Sequence, residues 1–380
     1  MRRSRFIVAV IPLLVASLAG AQQAGRAPRP ETSPVPNQDL KLLRFIERAL
    51  PWYPDSTFAI VGDERYRTPS GSYRVVNVKR ECASKFLAGI TTWVVDETAK
   101  VVWQGAVGNL PGEGVARAAS LRSFLEDFLP PALQRGMRLK TTVVWETGDN
   151  PTGALIPFFL AVRTGYGTYR MPAAVTSDGA RMVLGPTLPL DRDPVTWRRE
   201  LLEGSDLVMW DHPGSEAPVT IVEFSDFECP GCKTKWPIVA SILQELPSKV
   251  RHGMVNFPLT NIHPWAFRAA SAAWCVARQD PSALIPLKEQ FYSMQKDMET
   301  SLVGPVARDF VTARNLDEKA FDACFLGPDS IAAVHRQIEL AQRLRVDATP
   351  TYFVNGWKVQ APKKEWFGEL VRRLAAGREP

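Results

Sequence analysis

Residues 219–232 read VTIVEFSDFECPGC, an apolar run that leads into two cysteines with two residues between them, Cys229 and Cys232. The residues that follow have helical spacing. Their apolar members, which fall on one helix face, are Trp236, Val239, Leu243 and Leu246. The pattern predicts a strand that delivers Cys229 to the N-terminus of a helix, where unpaired N–H groups and the helix dipole stabilise a thiolate. Because the thiolate is the form of cysteine that attacks disulfides, the stretch indicates a redox site with Cys232 as the second thiol.

A zinc site is the alternative interpretation of this Cys-x-x-Cys pair. Structural zinc needs two further ligands at short spacing, such as a second Cys-x-x-Cys or a His-x-x-x-His. The remaining cysteines and the histidines are scattered: Cys82, Cys275 and Cys324, and His212, His252, His263 and His335. We therefore predict a redox pair, no metal site and no cofactor.

Residues 1–21 have the pattern of a secretory signal peptide. Three arginines at positions 2, 3 and 5 precede an apolar segment, residues 6–18, and Ala19-Gly20-Ala21 is a small-x-small cleavage site. The apolar segment is shorter than a membrane-spanning helix requires, and an uncleaved N-terminal anchor is the alternative. We expect a periplasmic or secreted protein in an oxidising compartment, where disulfides persist.

The charge of the chain does not identify a partner. Its 46 Lys and Arg residues stand against 40 Asp and Glu residues, a formal charge of +6, and three of the cations lie in the predicted signal peptide. So small an excess gives only unspecific attraction to anionic surfaces. Since the cell's nucleic acid is not in the expected compartment, we predict no nucleic-acid partner.

Proline-rich stretches divide the remaining chain into two domains, the number that its length predicts. Residues 22–36 are small, polar and rich in proline, which is typical of a disordered linker. A second proline-rich stretch places another linker at residues 191–207, with a short helix expected at 195–203. The two domains are therefore expected at residues 37–190 and 208–380.

The first domain contains a weak internal repeat. Residues 93–105 read as a strand, a polar turn, a strand and a glycine, and residues 174–185 repeat this order; each copy is followed by Leu-Pro. Upstream of each copy lie a helical segment and another candidate strand, which together predict an α+β domain. We favour an internal duplication, with chance similarity of two hairpins as the alternative.

The first domain shows no cluster of catalytic side chains. It has no histidine and no glycine-rich phosphate loop. Its one cysteine, Cys82, has cations nearby that would lower its pKa, although a half-buried thiol without a role is the interpretation that we favour. We expect the domain to bind clients or to self-associate and to do no chemistry itself.

The second domain alternates between strands and helices, so an α/β class is predicted. A strand is expected at residues 249–257, a long helical block at 264–345, and a strand after Pro350 that ends at Asn355-Gly356. An Asn-Gly turn indicates a hairpin, with residues 357–359 as the partner strand. A last helix is expected at residues 363–376.

The second domain resembles the DsbA-like thiol:disulfide oxidoreductases of the thioredoxin superfamily. Three segments carry the resemblance, namely residues 223–232, Phe257-Pro258-Leu259 with His263-Pro264, and Ala348-Thr349-Pro350-Thr351. The resemblance implies a thioredoxin fold in which the helical block is an insertion. An architectural analogy with the disulfide isomerases of the superfamily adds a homodimer through the first domain.

The resemblance also implies roles for individual residues. Cys229 would be the nucleophile and Cys232 the resolving thiol. Pro350 would be a cis proline facing the disulfide, leaving the backbone of Thr349 free to pair with an extended substrate. Glu223 would be a buried acid that moves protons to and from Cys232, since burial of a carboxyl raises its pKa. An ion pair at the end of the strand is the alternative for Glu223.

Cys275 and Cys324 are expected to form a structural disulfide within the helical insertion. Both lie on or beside apolar helix faces in an oxidising compartment, and some members of the resembled family have a second disulfide in this subdomain. By closing the loop between the two cysteines, the bridge would stabilise the folded state by roughly 4 kcal/mol in the chain-entropy model. Two separate buried thiols are the alternative.

The sequence departs from the best-known family members between its cysteines. Those members often have a histidine there, whereas this chain has Gly231, which supplies no charge. Glu228 adds a negative neighbour to Cys229. Both features predict a couple that is less oxidising than the histidine forms, so the direction of the redox reaction is open at this stage.

The expected function is an extracytoplasmic enzyme that oxidises or isomerises disulfides in client proteins by exchange at Cys229 and Cys232. Its partners would be clients with cysteines and a membrane redox partner. The alternatives are a client-binding or chaperone-like envelope protein and a reducing thioredoxin-like protein.

Overall fold

The computed structural model describes residues 37–84, 87–109, 141–144, 154–164, 167–185, 187–211, 216–260, 262–360 and 362–380. The predicted signal peptide and first linker, residues 1–36, lie outside these ranges. So does the helical segment expected upstream of the second repeat. Among the described residues, no helix has the length and apolar character needed to cross a bilayer.

The described N-terminal part is one helix and ten strands that form two sheets. The elements are α1 (Asn37–Ala49), β1 (Thr57–Thr68), β2 (Gly71–Glu81), β3 (Gly89–Asp96), β4 (Val101–Gln104), β5 (Ala106–Asn109), β6 (Thr141–Val144), β7 (Leu155–Thr164), β8 (Gly167–Thr176), β9 (Arg181–Leu184) and β10 (Thr187–Pro189). The first sheet has the order β1-β2-β3-β4-β10 and the second β6-β7-β8-β9-β5, with every pairing antiparallel. Each sheet thus takes its last strand from the other half of the domain.

The apolar face of α1 covers one side of the first sheet. Leu42 and Ile46, one helical turn apart, are buried against Val76 and Trp93 of the sheet. The other side of the first sheet packs on the second sheet through a separate apolar cluster that includes Trp103. This α+β arrangement matches the fold class predicted for the first domain.

Two glycines stand where the chain passes from one sheet to the other. Gly105 precedes β5 and Gly185 precedes β10, and their backbones cross in contact. Gly105 N–H donates to the carbonyl of Thr92, and Gly185 N–H donates to the carbonyl of Pro172. These equivalent bonds and the equal strand orders accord with the predicted repeat; its origin by duplication stays a prediction.

The C-terminal part is an α/β unit built on a third five-stranded sheet. Its elements are α2 (Pro194–Glu203), β11 (Met209–Trp210), β12 (Val219–Ser225), α3 (Pro230–Glu245), β13 (Val250–Asn256), α4 (Ala266–Gln279), α5 (Leu284–Met294), α6 (Val303–Ala313), α7 (Glu318–Leu326), α8 (Pro328–Arg343), β14 (Thr351–Val354), β15 (Trp357–Gln360) and α9 (Lys364–Ala375). The order is β11-β13-β12-β14-β15, in which β12 and β13 are parallel and the other pairs antiparallel. All seven residues of the central strand β12 are buried.

Helices α4 to α8 form the insertion between β13 and β14, where the sequence predicted it. A disulfide within the insertion joins Cys275 of α4 to Cys324 of α7, with the two Cα atoms 5.8 Å apart. Disulfides require Cα atoms within about 7 Å, so the pairing expected from the sequence meets this limit.

Helix α2, which lies in the segment assigned to the second linker, contacts both parts of the protein. Arg198 is 1% exposed and donates hydrogen bonds to the carbonyls of Arg48 and Ala49, at the C-terminus of α1. Its guanidinium also lies 5.8 Å from the ring centroid of Phe353 in β14. A cation is favourable at a helix C-terminus, where carbonyls lack partners. The domain boundaries at residues 190 and 208 stay predictions.

We predict that Gly105→Ala strongly destabilises the N-terminal part. A Cβ at residue 105 would overlap the carbonyl oxygen of Leu184, which is backbone and cannot rotate away. Overpacking with flexible neighbours costs about 1–3 kcal/mol, so a larger loss in the free energy of unfolding is expected here. Urea denaturation followed by circular dichroism measures it.

Gly368→Ala is the matched control for this change. A Cβ at residue 368 meets only the flexible end of the Arg372 side chain, and alanine is the better helix former. Equal unfolding midpoints for the two variants would contradict the proposed backbone crossing.

Candidate active site

The two cysteines of the Cys-x-x-Cys pair lie at the N-terminus of α3. Cys229 is the N-cap residue of the helix and is 8% exposed, whereas Cys232 in the first turn is fully buried. Pro230 at the first helical position suits the helix start, because the N–H that it lacks would have no partner there. Strand β12 holds this junction in place through its pairing with β13 on one side and β14 on the other.

The two thiols differ strongly in acidity. A hydrogen bond from Cys232 stabilises the Cys229 thiolate and, against the opposing effect of burial, lowers the pKa of Cys229 to about 6. Burial raises the pKa of the Cys232 thiol well above its usual value, and the charge on Cys229 raises it further. At neutral pH the reduced pair therefore has a thiolate at the more exposed cysteine and a protonated thiol beneath it.

The loop before β14 brings Thr349 and Pro350 against the nucleophile. The Thr349–Pro350 peptide is cis, and the Thr349 carbonyl oxygen lies 3.5 Å from the Cys229 sulfur. A Cβ built at Gly231 would lie 3.5 Å from that sulfur and 3.6 Å from Cδ of Pro350. The structure thus brings together four of the residues chosen from the sequence: Cys229, Cys232, Thr349 and Pro350.

The acids that flank Cys229 in sequence hold the surrounding loops. Asp226 accepts hydrogen bonds from the backbone N–H of Glu228, from that of Leu259 and from the imidazole of His263, at 2.8, 2.8 and 2.6 Å. The Glu228 carboxylate accepts from the N–H groups of Trp265 and Ala266 at the start of α4.

Glu228, which the sequence predicted to oppose the thiolate, has partners of its own, and its effect on Cys229 stays a prediction. Glu228 is directed at a helix N-terminus, whose N–H groups favour its negative charge, but burial outweighs them and raises the pKa of Glu228 above its usual value. A second acid, Asp226, also opposes the thiolate and raises the pKa of Cys229. Asp226 is in turn paired with His263, whose own pKa is raised by that carboxylate in spite of burial.

Glu223 lies in the core as an ion pair. Its Oε2 atom is 2.6 Å from Nζ of Lys288 in α5, and both side chains are at most 1% exposed. Burial alone would raise the pKa of Glu223, but Lys288 and then His252 outweigh burial and hold it below its usual value. The raised pKa expected from the sequence is wrong, because a cation from the helical insertion reaches the carboxylate.

Sequence reasoning missed three charged side chains of this site: Lys288, His252 and Asp211. Lys288 stands among the apolar residues of α5, and a cation at such a position is the signal that could have identified it, because lysine is rarely fully buried without a partner. The other two lie in and beside strands of the same sheet: Nδ1 of His252 is 3.0 Å from Asp211, and its Nε2 is 3.6 Å from Glu223. Within the described ranges, no cluster of three or more His, Cys, Asp or Glu residues is placed to hold a metal ion.

Comparison with known proteins agrees with this geometry. The family model described as Thioredoxin matches residues 214–372. Disulfide bond formation protein D of Bacillus subtilis is 30% identical over 155 residues, which are 37% of this chain and 64% of that protein. The C-terminal part of the chain is similar to the DsbA-like thiol:disulfide oxidoreductases. The predicted thioredoxin fold of this DsbA-like domain is thereby confirmed.

Two further proteins are similar to part of the chain. The Na(+)/H(+) antiporter NhaA 3 of Salinispora tropica is 30% identical over 174 residues, which are 43% of this chain and 26% of that protein. The chain thus spans about a quarter of the antiporter's length, and its transport activity is not carried over. The crystal structure of oxidised BdbD from Bacillus subtilis has 24% identity and a TM-score of 0.39, covering 43% of this chain and 91% of that chain.

We predict that alkylation distinguishes the two thiols of the DsbA-like domain. In the reduced Cys82→Ser protein, Cys229 should react with iodoacetamide at half its maximal rate near pH 6, the pKa that its environment produces. Cys232 should stay unmodified until strongly alkaline pH, because burial disfavours its thiolate. Peptide mapping of the modified protein assigns each rate, and equal rates at both thiols would contradict the assignment.

We also predict that Lys288→Met destabilises the protein by about 3–5 kcal/mol, since it leaves Glu223 buried without its main cation. Burial then raises the pKa of Glu223 above its unfolded value, so the folded state binds the extra proton. The loss should be small below the unfolded pKa and grow as pH rises through the folded pKa. Denaturation at several pH values measures this.

The double variant Glu223→Gln/Lys288→Met is the control for the ion pair. It removes both charges, so it should recover much of the stability lost in the single variant and should lose the pH dependence. A double variant no more stable than Lys288→Met would show that the ion pair is not the cause.

Proposed function

We propose that this protein is an extracytoplasmic thiol:disulfide oxidoreductase that forms or isomerises disulfides in client proteins. The observation that carries the proposal is the stabilised Cys229 thiolate at the N-terminus of α3, in contact with the Thr349–Pro350 loop. The name of the Bacillus subtilis relative, a disulfide bond formation protein, supports the same class of activity.

The acidity of Cys229 favours oxidation of the client. A client thiolate attacks the Cys229 sulfur of the oxidised pair, the Cys229–Cys232 bond breaks, and its electron pair leaves on Cys232, which takes up a proton. A second client thiolate then attacks the client sulfur of the mixed disulfide and releases Cys229 as a thiolate. The client gains one disulfide and the protein pair is reduced. Because a thiol of low pKa is the better leaving group, the last step favours release of Cys229.

The contacts of the loops suit an extended client. Gln295 donates to the carbonyls of Phe227 and Cys229, which fixes the backbone on one side of the nucleophile. The Thr349 backbone borders the other side, and extended peptides add to such backbone by strand-like pairing. Thr349 and Pro350 are accordingly proposed as substrate-binding residues.

The proposal has three further parts, which concern the compartment, the redox partner and the N-terminal part. The compartment is periplasmic or secreted, as the N-terminal pattern indicates. A membrane redox partner reoxidises the pair after each turn. The N-terminal part binds clients or forms a homodimer. A client-binding protein in which redox is secondary, and a reducing thioredoxin-like protein, are the alternatives.

We predict that Cys229→Ser abolishes oxidative refolding of reduced ribonuclease, because no mixed disulfide can form. Cys232→Ser should retain attack by Cys229 but lose resolution, so covalent complexes with the client should accumulate on non-reducing gels. Recovery of ribonuclease activity measures oxidation, and the same assay started from scrambled ribonuclease measures isomerisation.

Cys82→Ser is the control, since Cys82 lies in the N-terminal part and outside the site. Full refolding activity in Cys229→Ser would contradict the proposal and favour the client-binding alternative. Activity confined to insulin reduction would leave the reducing thioredoxin-like alternative.

A further inference from the structure

Four buried charged side chains from four separate segments form a row in the core of the C-terminal part. Asp211 follows β11, His252 lies in β13, Glu223 in β12 and Lys288 in α5, and the side chains are all at most 2% exposed. The separations are 3.0 Å from Asp211 to Nδ1 of His252, 3.6 Å from its Nε2 to Glu223, and 2.6 Å from Glu223 to Lys288. Burial of charged groups costs desolvation free energy, so a row of four such groups indicates a function.

Trp236 connects this row to the helix that holds the resolving thiol. It stands one helical turn after Cys232 on α3, and Nζ of Lys288 lies 3.9 Å from its ring centroid. The His252 ring is 5.6 Å from the same tryptophan, centroid to centroid. The charge on Glu223 acts on Cys232, where it raises the pKa of the thiol further.

Disulfide exchange requires Cys232 to gain and lose a proton in each catalytic cycle. Glu223 alone is poorly suited to supply that proton. Its ion pair with Lys288 favours the carboxylate, and a group held ionised is a weak proton donor. An imidazole titrates near neutral pH and can both give and take a proton. His252 is that imidazole, and among the described residues its buried Nε2 has no hydrogen-bond partner while it faces Glu223.

We propose that His252, oriented by Asp211, exchanges protons with Cys232 through Glu223. This inference rests on the proposed function. When a client thiolate attacks Cys229, the electron pair of the Cys229–Cys232 bond leaves on Cys232. One proton then passes from Nε2 of the His252 imidazolium to Glu223, and one from Glu223 to the Cys232 sulfur. The reverse transfer accompanies reoxidation. His252 acts through Glu223 and is therefore a positioning residue.

The charges that face His252 have opposite effects on it. Burial lowers its pKa, whereas Asp211 and then Glu223 raise it, and Lys288 lowers it; the net shift is upward from the ordinary value. From α3, the neighbour is the uncharged Trp236 ring. The imidazole can thus hold a proton for exchange, and Asp211 favours its charged form.

The pH dependence of the reduction potential of the full-length protein tests the inference, with glutathione as the redox buffer. The wild-type profile should show an inflection from His252 in addition to that of Cys229. His252→Gln should lose this inflection, and Asp211→Asn should move it to lower pH, because the carboxylate that favours the imidazolium is gone. His335→Gln is the matched control, since His335 of α8 packs against Phe267 of α4 and belongs to no part of the row.

If His252→Gln does not fold, a titration of His252 in the native protein tests the inference instead. Nitrogen-15 NMR of the His252 ring should give a higher titration midpoint in the reduced than in the oxidised protein, because the reduced pair has a thiolate charge. Equal midpoints, or a wild-type potential profile in His252→Gln, would overturn the inference. Absence of any exchange with glutathione would instead contradict the proposed function.

Discussion

The site depends on the pairing of β12 between β13 and β14. Three segments that are distant in sequence, those of Cys229, His263 and Thr349, follow or precede these three strands at one edge of the sheet. Because β12 and β13 are parallel, the ends of both strands lie at that edge, and the antiparallel β14 begins there. The full burial of β12 makes its register costly to change, which fixes Cys229 relative to the Thr349 carbonyl.

Local and long-range features of the site differed in how well the sequence could predict them. The strand before Cys229, the helix after it and the hairpin at Asn355-Gly356 depend on patterns within a few residues, and the structure has β12, α3 and the β14–β15 hairpin there. The cation on Glu223 comes from Lys288, 65 residues away on an inserted helix, and no spacing rule connects the two. The pKa argument for Glu223 failed for this reason, since burial was visible in the sequence and the partner was not.

The N-terminal part shows the same contrast. The alternation of strands and turns gave the α+β class and the two matching hairpins. The exchange of β5 and β10 between the sheets depends on a backbone crossing at Gly105 and Gly185, which sequence patterns do not encode beyond the two glycines themselves. Likewise, a proline-rich composition predicted a linker where Arg198 of α2 contacts the C-terminus of α1.

The absence of a histidine between the cysteines does not leave the nucleophile without stabilisation. The Cys232 thiol donates to the Cys229 sulfur, the start of α3 supplies its dipole, and Glu228 is turned toward α4. The opposing charge on Asp226 is paired with His263 at 2.6 Å. Since protonation of His263 makes that pair neutral overall, the cation missing between the cysteines has a counterpart in the loop after β13. The thiolate therefore depends on contacts between segments, and the residue between the cysteines is a poor guide to the direction of the redox reaction in this chain.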